Sequence, residues 1–150
     1  MPALPSFRPY APADLPACLG MFDGNCPQFF APNERADFVA FLSAEPPGYT
    51  VCLSENRIVG AFGVLREGPG LMLRWILLAP DMQRRGLGRV IMERVRATVQ
   101  AQGGGPLHIG TSQHSAAFFA KCGAQELGRT PDGWGPGMHR VDMVLPAMPS

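Results

Sequence analysis

Gln83-Arg84-Arg85-Gly86-Leu87-Gly88 stand between an apolar run, Leu71 to Leu78, and an amphipathic run, Leu87 to Gln102. A strand, a turn containing glycine and a helix start together build an anion site. Glycines let the backbone turn with no Cβ in the way, so successive N–H groups can point at one spot. The helix start adds its unpaired donors and the positive end of its dipole. Arg84 and Arg85 add fixed positive charge suited to a diphosphate. The expected ligand is a phosphate-bearing cofactor. The spacing is neither that of a P-loop nor that of the dinucleotide fingerprint, both of which need other glycine positions.

Other elements must position this loop. Ser6 to Tyr10 reads as a first strand and Ala13 to Met21 as a helix, followed by an irregular stretch to Ala31 with Gly24, Asn25 and Pro27. Pro32-Asn33-Glu34 opens a second helix in which Phe38, Phe41 and Leu42 form a core stripe. Tyr49 to Leu53, Ile58 to Leu65 and Leu71 to Leu78 then read as an antiparallel meander, turning at residues 54–57 and 68–70. After the loop, Leu87, Ile91 and Val95 line one helix face. Leu107 to Gly110 is a strand and Ser115 to Cys122 a helix. Glu126 to Thr130 with Arg140 to Leu145 form a closing hairpin around residues 131–137.

Length and composition bound the function. The 150 residues read as a single domain, 1–150, able to bury about two-thirds of its unfolded surface. Hydrophobic content of 46% with 17% charge is that of a globular chain. No apolar run approaches the roughly 18 residues of a membrane span, and the first residues lack the pattern of a secretory signal, so a cytoplasmic location is expected. A formal net charge of +1 gives no field suited to nucleic acid or a membrane surface, and neither is expected as a partner. Heavy use of Arg, Ala, Gly and Pro suggests GC-rich coding and a bacterial source. Cysteines at 18, 26, 52 and 122 lack metal-ligand spacing, and His108, His114 and His139 share none either, so free thiols and no metal are expected.

Gln83-x-x-Gly86-x-Gly88 after Leu78-Ala79-Pro80 resembles the acyl-CoA pyrophosphate loop, Arg/Gln-x-x-Gly-x-Gly/Ala, of the GNAT superfamily of N-acetyltransferases. The helix Phe118-Phe119-Ala-Lys121-Cys-Gly123 looks like that family's Phe-Tyr-x-Lys-x-Gly-Phe block. The resemblance is close over residues 71–124 and topological elsewhere.

It implies an α/β GNAT fold: a mixed, mostly antiparallel sheet flanked by helices, with central strands that splay apart. It implies an acetyl-CoA-dependent N-acetyltransferase, in which acetyl-CoA is the cosubstrate and a primary amine of a small molecule or peptide attacks directly. The amides from Arg84 through Arg85, Gly86 and Leu87 to Gly88, preceded by Gln83, would hold the pyrophosphate. Ile76, Leu77 and Leu78 would offer backbone groups to the pantetheine arm, with the Leu78 N–H polarising the thioester carbonyl. Ser112, Ser115, Phe118 and Phe119 would wall the cofactor. The segments holding Phe29, Phe30, Trp134 and His139 flank the acceptor mouth in that family, so these residues read either as an aromatic pocket or as core. Homodimers are common in it, although no sequence patch here marks an interface.

Two departures bear on mechanism. The strand Leu71 to Leu78 carries no carboxylate where many members place a Glu, which leaves Glu67 as the nearest candidate base and Asp142 and His114 as more distant ones. The family's Tyr, which protonates the departing thiolate, falls on Phe119, and the family's Asn seven residues earlier falls on Ser112, the replacement candidate. These departures keep open an alternative, a non-catalytic acyl-CoA-binding sensor or pseudo-enzyme.

Overall fold

The structure, a computed structural model, describes residues 4–147. Strand β1 (Ser6–Pro9) leads through a 3-10 turn into helix α1 (Leu15–Gly24), and α2 (Glu34–Ser43) follows. Strands β2 (Tyr49–Ser54), β3 (Arg57–Glu67) and β4 (Gly70–Leu78) form the meander. Helix α3 (Leu87–Ala101), strand β5 (Leu107–Ser112), helix α4 (Ala116–Lys121) and strands β6 (Gln125–Gly135) and β7 (Met138–Leu145) complete the chain. The order in the seven-stranded sheet is β1-β2-β3-β4-β5-β7-β6. Every pairing is antiparallel except β4 with β5, which the crossover through α3 makes parallel.

Local chemistry explains the turns. Glu55 and Asn56 both hold positive φ, 52° and 64°, as a two-residue hairpin loop matched to strand twist requires. Gly60 and Gly63 lie an odd number of residues apart on β3 and face opposite sides of the sheet. A Cβ on Gly60 would sit 2.6 Å from Ile91 of α3, and one on Gly63 would sit 2.9 Å from Tyr49. The Tyr49 ring meets Phe38 and Phe41 of α2 edge-on. Helices therefore cover both faces, and the core of Phe22, Phe38, Val51, Phe62, Leu77, Ile91 and Val95 is buried.

Two element boundaries differ most from expectation. Helix α1 continues to Gly24, because the Asn25 N–H still reaches the carbonyls of Met21 and Phe22. Strand β6 runs through most of the segment expected as a connecting loop. There Trp134 Nε1 donates to Thr111 O at 2.8 Å, and Asn33 Nδ2 donates to Trp134 O at 2.7 Å. Those ties come from other elements and have no local signature. Among the described residues no helix is long and apolar enough to cross a membrane.

Candidate active site

The site begins where β4 and β5 part. They pair only from Leu71 with Leu107 to Leu73 with Ile109, after which β4 runs on to Leu78 while β5 stays with β7 up to Ser112 opposite Arg140. At the same level the β3–β4 register steps between Ala61 and Gly63, so Trp75 and Ile76 together face Phe62. This bulge bends β4 away from its neighbour. Trp75 sits at φ +46°, a conformation costly for a bulky residue, and its surroundings hold it there. Tyr49 Oη donates to Trp75 O at 2.6 Å, and the indole packs among Phe22, Phe30, Phe38 and Phe41. Beyond the bulge the Ala79 N–H donates to Val59 O on β3. Alternation along an extended strand then turns the Leu78 N–H to the side that β5 has left.

The loop after β4 has the geometry of an anion cradle. Arg84 and Gly86 hold positive φ, 63° and 84°. Gly86 caps α3 with no side chain across its first amides, which stay open to a ligand. Gly88 is small for another reason: a Cβ there would lie 3.0 Å from the Phe118 ring. Asn25 ties the loop to the rest, since its Nδ2 donates to Met21 O and Leu78 O at 2.7 and 2.8 Å, and its Oδ1 accepts from Gln83 Nε2 at 2.6 Å.

A cavity of about 930 Å³ joins these parts. At one end it is lined by Gln83, Arg84, Gly86, Gly88 and Arg89, and along its middle by Ile76, Leu77 and Leu78. The facing wall is Ser112, Ser115, Phe118 and Phe119. Arg85 is exposed and off this wall, and Leu87 is buried in the core. Glu67 lines the cavity as the ion-pair partner of Arg74. Ser112 is buried, and its Oγ accepts from the His114 N–H at 3.2 Å. Phe119 is buried beside Phe118 with no hydroxyl to offer. His114 also lines the cavity, whereas Asp142 is paired with Arg140 at 2.8 Å and His139 accepts from the Asp132 N–H, both outside the lining.

The far end is aromatic. Phe29, Phe30, Trp75 and Trp134 line it, with the Arg140 guanidinium 4.7 Å from the Trp134 centroid. Glu34 is set among them at 6% exposure. Its Oε2 accepts from the Ala31 N–H at 2.7 Å, while the Glu34 N–H donates to Ala31 O. Burial pushes this carboxyl up to about 7, and the nearby Asp37 charge adds to the rise. Asn25, Glu34 and Arg89 were missed as site residues. Only Glu34 had a local signal, an acidic residue in the first turn of a helix, and that signal reads as capping. Among the described residues no group of three or more His, Cys, Asp or Glu is arranged to hold a metal, and all four cysteines are free.

Among curated proteins none matches the sequence. Solved structures match the fold at low identity. A ribosomal-protein-S18-alanine N-acetyltransferase from Escherichia coli is 18% identical with a TM-score of 0.78, over 98% of this chain and 96% of that one. Ard1 from Thermoplasma volcanium is 12% identical with a TM-score of 0.81, over 98% and 100%. An aminoglycoside 6'-N-acetyltransferase complexed with coenzyme A is 15% identical with a TM-score of 0.77, over 99% of each chain. The sequence profile of the acetyltransferase (GNAT) family matches residues 18–124. With that match over most of its length, the chain belongs to the acetyltransferase (GNAT) family.

Proposed function

We propose that the protein transfers the acetyl group of acetyl-CoA to a primary amine by direct attack, with no covalent acyl-enzyme. The observation that carries this reading is the continuous cavity running from the Arg84–Gly88 amides, past the unpaired edge of β4, to an aromatic end. The donor set fits a diphosphate. It combines positive-φ backbone at Arg84 and Gly86, an uncapped helix start and the cations of Arg84 and Arg89. Arg85 adds long-range attraction from outside the wall, and the Leu87 amide acts through the helix start.

Acetyl-CoA supplies an activated acyl group; the chain positions it. Ile76 and Leu77 supply extended backbone and apolar wall to the pantetheine arm, and Leu78 supplies the N–H that stabilises the developing oxyanion, a kind of contact worth about 3 kcal/mol. Ser115, Phe118 and Phe119 close the cofactor side against water. Ser112 donates to the departing sulfur in place of a tyrosine. Glu67 is held by Arg74, and its charge is spent on that pair.

Mass spectrometry of products after incubation with acetyl-CoA and a panel of primary amines tests the reading. An acetylated amine that is absent without protein and lost in Gly86→Asp is expected. Acetyl-CoA binding without product from any amine would overturn it in favour of an acyl-CoA-binding module.

A further inference from the structure

The acceptor end of the cavity has a composition that narrows the amine, given the transferase reading above. Its walls are rings: Phe29, Phe30 and Trp134 are half-buried, and Phe30 stacks on Trp75 with centroids 6.0 Å apart. The cations there are already neutralised. Arg74 is paired with Glu67, and Arg140 is paired with Asp142 while lying over Trp134. Glu34 differs from both carboxylates, for it is buried and has no ion-pair partner among the described residues. Its Oε2 is occupied by the Ala31 N–H, which leaves Oε1 for a ligand.

We propose that Glu34 is the acceptor-side catalytic base, and that the amine it serves is a small monoamine carried on an aromatic body. The pairing follows from ordinary chemistry. One unpaired carboxylate matches one ammonium, and ring faces attract both an ammonium and an aryl group. A polyamine would bring several charges to a surface with a single free partner, leaving the others desolvated and unpaired.

The proton inventory closes. The ammonium gives one proton to Glu34, the freed nitrogen lone pair forms the C–N bond, and the C–S bond breaks with its electron pair passing to sulfur. The surplus proton on nitrogen ends on the departing thiol, and Glu34 returns its proton to water. A free amine is only about 0.1% neutral at pH 7, so this first transfer matters. A carboxyl held up to about 7 is matched to the task near neutral pH. The titratable groups facing Glu34 are few. Asp37 lies further along α2, and the Cys26 thiol lies in the preceding loop and is itself pushed up, chiefly by burial. Arg74, Arg140 and His114 line the same cavity from β4, β7 and the segment after β5.

The test uses phenethylamine and spermidine as probes with acetyl-CoA, following product by liquid chromatography and mass spectrometry from about pH 6 to 9. Phenethylamine is expected to be acetylated with kcat/KM at least about tenfold above that for spermidine, on a profile rising through an inflection near 7. Glu34→Gln keeps an acceptor for the Ala31 N–H. It is expected to lose about 100-fold in kcat/KM and the inflection with it, while acetyl-CoA affinity measured by calorimetry stays within about twofold. A Gln variant within about threefold of the wild type on the same profile would overturn the proposal. So would failure to acetylate phenethylamine by a protein that binds acetyl-CoA, which leaves the transferase reading standing. Absence of acetyl-CoA binding removes that reading as well.

Discussion

Gln83 Nε2 donates a 2.6 Å hydrogen bond to Asn25 Oδ1 across 58 positions of sequence. The same Asn25 amide donates to Leu78 O at the end of β4, so one buried side chain joins the loop before α3, the exposed strand edge and α1. Asn25→Ala takes the partner from the Gln83 amide and from the Leu78 carbonyl, while Met21 O keeps the backbone N–H of residue 25, and a loss of about 1–3 kcal/mol in stability is expected. Acetyl-CoA binding should weaken about tenfold, as the loop loses its register. Calorimetry on a variant shown to be folded checks this, and unchanged affinity would remove Asn25 from the cofactor side.

Tyr49→Phe tests the bulge. The ring keeps its place against Phe38 and Phe41, and only the 2.6 Å bond from Oη to Trp75 O is lost. A stability loss of about 1–2 kcal/mol in urea denaturation is expected. A fall in kcat with little change in KM for acetyl-CoA should accompany it, since the backbone that relaxes lies at the reacting end of β4.

Ser112→Ala separates a thiol-protonating role from a packing role. With Ser112 as donor, kcat should fall about tenfold near neutral pH, and the deficit should shrink as pH approaches the ordinary thiol range, where CoA departs unaided as thiolate. A deficit independent of pH would mean that the side chain serves only its buried contact with the His114 N–H.

Glu34 also makes a prediction that needs no substrate. Its carboxyl lies above its ordinary value, 4.5, at about 7 in the folded chain. Between those values the native chain holds a proton that the unfolded chain has released. The stabilisation linked to it is complete below the unfolded value and is lost as pH rises through the folded one. Urea midpoints of the wild type should fall from about pH 5 to about pH 8, by at most about 3 kcal/mol in stability, and those of Glu34→Gln should fall less. Parallel curves for the two proteins would show that Glu34 titrates at an ordinary carboxylate value.

Much of the frame was legible in the chain. The meander, the α3 face of Leu87, Ile91 and Val95, and the strand-turn-helix around Gly86 follow from periodicity and turn chemistry, which act between near neighbours. Gly86 was readable as a residue that lets the backbone turn without a Cβ, and its φ of 84° uses that freedom. The α1–α2 segment was not readable in the same way. Asn25 looked like a helix breaker and Glu34 like a helix opener, and both descriptions are locally true.

What the sequence determined by itself is the set of elements, their order and the place of the glycine turn before α3, because each depends on hydrophobic period or on glycine within a few residues. Tertiary structure decided where β4 leaves β5, the bulge that puts Trp75 at positive φ, the bond between Asn25 and Gln83, and the burial that raises Glu34. Each of these depends on partners tens of residues away. Burial and unpaired strand edges are properties of the assembled surface, and they come into being only when the distant parts of the chain meet.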